Sequence, residues 1–173
     1  MINFPKKFKI MKSFITVVMV IFGLIIGQAQ QNTSDYPSKI PTFELVKIKG
    51  DGIFKSTDLK KNKKTLVGIV SPECIHCLLA IEHLNNNSQY LKDINLVFIT
   101  AYDKDVFMNK FNTIAPALNA LKSIEILQDT EYEVADLFKP LSIPTFYLFD
   151  KKGNLETVKR GSIEINQIFN NLD

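Results

Sequence analysis

Short apolar runs alternate with amphipathic stretches over residues 40–173, and this alternation predicts strands and helices in turn. The strand-like runs are Thr42–Ile48, Ile53–Phe54, Thr65–Val70, Ile94–Thr100, Ile124–Leu127, Thr145–Phe149 and Leu155–Lys159. The helical stretches are Glu73–Asn85, Asp105–Phe111, Pro116–Lys122, Glu131–Phe138 and a last segment capped by Ser162. Turn residues after the first run and before the last predict two hairpins. The pattern therefore predicts a three-layer α/β domain with an N-terminal hairpin.

The predicted elements carry enough apolar side chains to build one core. Four positions at helical spacing give the helix over Glu73–Asn85 an apolar face: Cys77, Leu78, Ile81 and Leu84. We also expect six phenylalanines to fill the core rather than surround a ligand: Phe98, Phe107, Phe111, Phe138, Phe146 and Phe149.

The first 29 residues predict an export signal rather than part of the fold. Lysines precede an apolar run over Phe14–Ile26, and Gly27-Gln28-Ala29 offers small residues for cleavage. Because a spanning helix needs roughly 20 apolar residues, we expect a cleaved signal peptide over 1–29. An uncleaved membrane anchor is the alternative. A flexible lead-in over residues 30–39 and a domain over 40–173 would follow, in the periplasm or otherwise exported, where disulfides persist.

The composition and charge of the chain limit the kinds of partner that we expect it to bind. The chain has 173 residues, with 46% hydrophobic and 23% charged, as globular proteins do. Its net charge of +3 depends on four lysines in the first 29 residues, and the remainder carries 17 basic and 18 acidic residues. We therefore expect no nucleic-acid binding through bulk charge. We expect a monomer that meets a membrane only if the N-terminal segment stays uncleaved.

The sequence Cys74-Ile75-His76-Cys77 is the main candidate for chemistry. It follows a predicted strand and opens a predicted helix, so Cys74 should lie at a helix N-terminus. There the helix dipole and free amide groups stabilise a thiolate. We expect Cys74 to be the exposed nucleophile and Cys77, one turn deeper, to resolve the mixed disulfide. His76, protonated or hydrogen-bonded to the Cys74 sulfur, should tune the pair toward the oxidising end.

Two other interpretations of the cysteine pair remain. A structural disulfide would close so small a loop that it would hardly constrain the unfolded chain. A zinc site would need two further ligands. The only other candidate, His83, lies two helical turns, about 10 Å, from His76. We expect no metal and no other cofactor.

A second signal is Ile143-Pro144-Thr145, which opens the strand predicted over Thr145–Phe149. A proline there forgoes a hydrogen bond of the sheet, and it is credible in trans at an edge strand or in cis in a tight turn. Taken with Cys74 and Cys77, this loop resembles the cis-proline loop of the thioredoxin fold. The resemblance covers about residues 40–173, and the N-terminal hairpin and the insert between Thr100 and Leu127 resemble the exported TlpA/ResA type.

The resemblance implies a mixed central sheet flanked by helices and a thiol–disulfide oxidoreductase. It implies that Ile143 and Pro144 shape the site where a substrate polypeptide pairs like an added strand. Partners would be protein thiols or disulfides and an upstream redox partner. Three positions depart from the pattern. Glu73 replaces the tryptophan of thioredoxins, and the acids that assist the second cysteine in thioredoxin and ResA-like proteins would fall near Gly68 and at Ala80.

Three functions compete at this stage. The leading one is a protein-disulfide oxidoreductase. A second is a non-catalytic binding module whose cysteines only stabilise a loop. The third is a peroxiredoxin-like peroxidase, because Ser71 stands three residues before Cys74, although Val67 occupies the expected proline position and Arg160 is distant in sequence.

Overall fold

The computed structural model describes residues 36–172. The predicted signal peptide, residues 1–29, and the first part of the predicted lead-in lie outside the described residues. Among the described residues, no helix combines the length and the apolar character needed to cross a membrane.

Seven strands form one mixed sheet in the order β2-β1-β5-β4-β3-β6-β7. Their bounds are β1 Glu44–Lys47, β2 Ile53–Lys55, β3 Thr65–Ile69, β4 Asn95–Thr100, β5 Ile124–Gln128, β6 Thr145–Phe149 and β7 Leu155–Arg160. The central strands β3, β4 and β5 are parallel, and the other neighbours pair antiparallel. The predicted mixed sheet and both predicted hairpins are confirmed.

Burial explains why β3 and β4 lie at the centre. Every residue of both strands is buried, and their sequences are nearly continuous apolar runs, as expected for strands covered on both faces. Their parallel pairing aligns Leu66 with Leu96 and Gly68 with Phe98. The carboxyl ends of β3, β4 and β5 consequently meet at one edge of the sheet.

Helices cover both faces of the sheet. The α-helices are α1 Ile75–Asn86, α2 Lys104–Ile114, α3 Pro116–Asn119, α4 Glu133–Phe138 and α5 Gly161–Glu164. The 3₁₀ helices are Ser56–Asp58, Ser88–Leu91 and Ile165–Asn171. One core cluster contains α1, α2 and α3 side chains such as Leu84, Phe111 and Leu118, and the other contains Val134 and Phe138 of α4. The three-layer prediction is confirmed, and all six predicted core phenylalanines are buried.

Two helix predictions were wrong in detail. The last helical segment begins at Gly161, which has φ +70° and donates its N–H to the Pro144 carbonyl at 2.9 Å. Ser162 therefore lies inside the first turn and is not its cap. The helix predicted over Pro116–Lys122 ends at Asn119. Where it ends, the Lys49 ammonium donates to the Asn119 carbonyl at 2.5 Å and to the Leu121 carbonyl at 3.4 Å.

A candidate redox site at the start of helix α1

Cys74 lies where β3 has ended and α1 is about to begin. It is the residue before the helix and has extended backbone dihedrals, φ −91° and ψ 112°. Its carbonyl accepts the first helical hydrogen bonds from the amides of Cys77 and Leu78, at 2.9 and 3.0 Å. The side chain is partly exposed and is a free thiol. The predicted placement at the helix N-terminus is confirmed.

Cys77 lies one turn deeper and is fully buried. Burial raises the pKa of its thiol to about 12, opposed by a hydrogen bond from the Ser71 amide and reinforced by the neighbouring Cys74 thiol. The Ser71 N–H donates to Cys77 Sγ at 3.4 Å. The pair thus combines an accessible sulfur with a buried sulfur that holds its proton.

The proline loop lies directly against Cys74. The Ile143–Pro144 peptide bond is cis. Because β6 pairs antiparallel with β3 and Ile69 faces Thr145, the residues before β6 reach the same edge as the residues after β3. The Cys74 thiol points toward the Ile143 carbonyl oxygen, 3.8 Å from Sγ. Pro144 is buried, and the Ile143 side chain is 45% exposed.

His76 lies in the first turn of α1 with its side chain exposed. Among the contacts of residues 36–172, no hydrogen bond joins its ring to Cys74 or Cys77. The expected tuning of Cys74 by His76 therefore depends on charge acting through space, and it stays a prediction. His83 is half-buried, with its ring 5.7 Å from the Phe169 ring.

Two positions at which the resemblance would place an acid that assists the second cysteine, Gly68 and Ala80, lie among apolar side chains. A Cβ built on Gly68 would come within 2.7 Å of the Phe146 ring and 3.0 Å of the Phe98 ring, so the packed rings leave no room for an acidic side chain. Ala80 is fully buried in the same apolar cluster as Cys77. The base for Cys77 that the sequence left unassigned has no carboxylate candidate at these two positions.

The structure adds one polar residue that the sequence did not indicate. The Tyr102 hydroxyl donates to the Glu73 carboxylate at 2.8 Å, which holds the acid that precedes Cys74. Glu73 is exposed. Tyr102 follows β4, whose carboxyl end lies beside that of β3, and this rule about parallel strands is the signal that could have found it.

The sequence matches no protein-family model and no curated protein. Solved structures do resemble it. StoA from Bacillus subtilis gives a TM-score of 0.57 at 18% identity, covering 78% of this chain and 98% of its own. The exposed lipoprotein thioredoxin Etrx1 from Streptococcus pneumoniae gives a TM-score of 0.57 at 20% identity, covering 76% of this chain and 98% of its own. A secreted Mycobacterium tuberculosis disulfide oxidoreductase gives 0.61 at 16%, covering 75% and 93%. With its mixed sheet, its helices on both faces and these structural neighbours, the described chain has the thioredoxin-like fold.

Proposed function

We propose that this protein is an exported thiol–disulfide oxidoreductase that exchanges electrons with protein disulfides through Cys74 and Cys77. The observation that carries the proposal is the arrangement of the two sulfurs. One is accessible at a helix N-terminus and against the Ile143 carbonyl, and the other is buried one turn behind it. A structural disulfide would not require either the accessible sulfur or the open loop beside it.

The chemistry follows from this order of the sulfurs. The Cys74 thiolate attacks one sulfur of a substrate disulfide, which forms a mixed disulfide and releases the other substrate sulfur as a thiolate. Cys77 then loses its proton and attacks Cys74 Sγ, which forms the Cys74–Cys77 disulfide and releases the second substrate thiolate. Two electrons pass from the protein to the substrate, and the reverse sequence oxidises a substrate dithiol.

Ile143 and Pro144 are assigned to substrate binding in this proposal. The Ile143 carbonyl lies within reach of Cys74, and the Ile143 side chain is open to solvent. An extended polypeptide could pair with this backbone while its own cysteine reaches Cys74. The names of two of the similar structures, a thioredoxin and a disulfide oxidoreductase, support a redox role for this protein.

Export is the part of the proposal that depends on residues 1–29. The basic and apolar runs support a signal peptide, and two of the similar proteins are described as exposed or secreted. N-terminal sequencing of the protein made in a bacterial host should give a start near Gln30. Recovery of the full-length chain in the membrane fraction would indicate an anchor instead.

Reduction of insulin disulfides by dithiothreitol tests the activity. The wild-type protein should accelerate insulin precipitation, and Cys74→Ser should fall to the uncatalysed rate. Val106→Ala, an exposed change on α2, is the matched control and should keep the wild-type rate. A wild-type rate equal to that of Cys74→Ser would favour the interpretation as a non-catalytic binding module. Consumption of peroxide by the protein would instead indicate a peroxidase.

A further inference from the structure

An open pocket lies at the end of β3 that is remote from the cysteines. Its volume is about 480 Å³, within the range of about 300 to 1,000 Å³ that is usual for small-molecule sites. Thr65, the first residue of β3, lines the pocket, whereas Ile69 ends the strand on the side of Cys74. The first and last residues of such a strand are about 13 Å apart. The pocket is therefore separate from the site proposed for disulfide exchange.

Lysines give this pocket its charge. Five of them line it, and they come from two loops that are far apart in the sequence: Lys60, Lys61, Lys63, Lys151 and Lys152. Asp150 is the one acidic residue among the described residues of the lining. Because lysines are protonated at neutral pH, this pocket, here called the lysine pocket, carries a strong positive charge.

The turn that carries Lys151 and Lys152 is held by the Asp150 carboxylate. One carboxylate oxygen accepts hydrogen bonds from the amides of Lys152 and Asn154, both at 2.8 Å. The other accepts from the side-chain amide of Asn154 at 2.9 Å. The turn is also joined to the N-terminal part of the domain, because the Ile40 amide donates to the Gly153 carbonyl at 3.0 Å.

The loop that carries Lys60, Lys61 and Lys63 is held by a buried side chain at the start of β4. The Asn95 side chain accepts a hydrogen bond from the Lys60 amide at 3.1 Å and donates one to the Lys60 carbonyl at 3.0 Å. Asn95 is only 5% exposed. Both lysine loops are therefore fixed without a ligand, so an anion that binds between them does not have to order them.

The ammonium groups of the lysine pocket are poorly neutralised by the protein itself. Lys63 pairs with Asp93 at 3.7 Å, and Lys152 interacts with Asp150 through space. Within residues 36–172, no salt bridge involves Lys60, Lys61 or Lys151. Like charges that are held close together repel one another, and a bound anion would replace this repulsion by attraction.

We propose that the lysine pocket binds a phosphate-bearing anion. A phosphate group offers several strong acceptor oxygens together with its negative charge, so ammonium groups from two loops can contact it at once. Thr42 and Thr57 also line the pocket, and their hydroxyl groups are donors for the same oxygens. This inference goes beyond the proposed function and does not depend on it.

Titration calorimetry of the purified protein with tripolyphosphate, at neutral pH and low salt, tests the site. We expect one saturable site whose affinity falls as the salt concentration rises, because free ions screen exposed charges. Lys60→Gln/Lys61→Gln and Lys151→Gln/Lys152→Gln each remove two of the five lysines. Each pair should weaken binding by about tenfold, the scale of two charge contacts at a protein surface.

The matched control is Lys104→Gln/Lys110→Gln, which removes the same charge from exposed positions of α2 outside the pocket. It should bind within about twofold of the wild-type protein, because distant exposed charges are screened. An equal loss in this control would overturn the site, since the anion would then respond to net charge alone. If one lysine pair fails to fold by circular dichroism, the other pair decides against the same control.

Phosphate reaches a protein either in a soluble compound or in a lipid headgroup, and a second arm distinguishes these sources. The protein is sedimented with vesicles of phosphatidylcholine, with and without phosphatidylglycerol. Binding to phosphatidylglycerol that both lysine pairs weaken would assign a headgroup, and binding to tripolyphosphate alone would assign a soluble phosphate compound. Absence of lysine-dependent binding in both arms would overturn the proposal.

The outcomes also separate this inference from the proposed function. Both lysine pairs should reduce insulin at the wild-type rate, and Cys74→Ser should bind tripolyphosphate as the wild-type protein does. A protein that binds the anion but does not reduce insulin would overturn the oxidoreductase alone. A protein that reduces insulin but binds neither probe would overturn the lysine pocket alone.

Discussion

The surroundings of Cys74 and of Cys77 differ sharply although only two residues separate them. Cys74 lies at the open end of α1, partly exposed, against the Ile143 carbonyl. Cys77 lies in the apolar cluster under the same helix, where burial raises the pKa of its thiol to about 12. One turn of helix is therefore enough to leave one thiol accessible and to bury the other.

The difference arises from the packing below the helix. The positions at which the resemblance would place an assisting acid hold Gly68, which has two phenylalanine rings against it, and the buried Ala80. Cys74 is only partly buried against the same cluster, and its sulfur faces the proline loop. We therefore expect changes around Cys74 to alter the rate of disulfide exchange, and changes around Cys77 to alter both the resolution of the mixed disulfide and the stability of the fold.

The largest expected effect is a difference in what the two single variants trap. Cys77→Ala should accumulate a mixed disulfide with a substrate peptide, because no second thiol is left to release it. Cys74→Ala should not form one at a measurable rate, because its remaining thiol is buried. Non-reducing gels and intact mass give the fraction trapped, which should differ by about a hundredfold. Equal trapping by both variants would contradict the assignment of Cys74 as the nucleophile and Cys77 as the resolving cysteine.

A second expectation concerns the pH dependence of stability in the reduced protein. The pKa of the Cys77 thiol is about 12 in the folded protein, against an ordinary pKa of 9.0 for the unfolded chain. Below about pH 9 the thiol keeps its proton in both the folded and the unfolded protein, so its titration does not change the free energy of unfolding. Above it the unfolded chain loses the proton first, so the free energy of unfolding should fall by about 1.4 kcal/mol per pH unit up to about pH 12.

Urea unfolding at pH 8 to 10.5 under reducing conditions measures that slope. Lysine and tyrosine titrations contribute to it in every variant, so the comparison is with Cys77→Ala, which should show a shallower fall. Identical slopes for the two proteins would mean that Cys77 does not hold its proton in the folded state.

The packing that keeps charge from Cys77 can be broken at Gly68. Gly68→Ala places a methyl group within 3 Å of Phe146 and should lower the free energy of unfolding by about 1 to 3 kcal/mol. The double variant with Phe146→Leu should cost less than the sum of the two single changes, because the smaller side chain makes room. Wild-type stability in Gly68→Ala would show that a side chain fits there after all.

The smallest expected effect concerns His76. Its protonated ring should favour the Cys74 thiolate through space and raise the reduction potential of the pair. His76→Pro, which the first turn of a helix tolerates, should lower the potential by tens of millivolts, where about 30 mV corresponds to 1.4 kcal/mol. Equilibration with glutathione measures both proteins, and Glu82→Gln is an exposed control on the same helix. Equal potentials would leave His76 as an ordinary helix residue.

Local patterns predicted much of the fold. The run Thr145–Phe149 matches β6 residue for residue, and Thr65–Val70 matches β3 to within one residue. Such runs report burial directly, because a strand covered on both faces must be apolar throughout. The cysteine motif and the proline loop could be predicted as well, because each consists of a few consecutive residues.

Features that depend on distant contacts could not be predicted in this way. The Tyr102–Glu73 hydrogen bond exists because the ends of β3 and β4 meet at one edge of the sheet, and no local pattern encodes the register of these strands. The wrong cap at Ser162 has the same origin. The Gly161 amide is fixed by the Pro144 carbonyl at the start of the neighbouring strand β6, and the helical turn therefore starts one residue early.

The most direct test of the division between the two cysteines is their separate alkylation in the reduced wild-type protein. Iodoacetamide is added at pH 8, and peptide mass spectrometry follows the modification of each cysteine with time. Only the thiolate reacts, and a pKa of about 12 leaves Cys77 with about one thiolate in ten thousand at that pH. We expect Cys74 to be modified at least about a hundredfold faster than Cys77. Equal rates, or faster modification of Cys77, would contradict it.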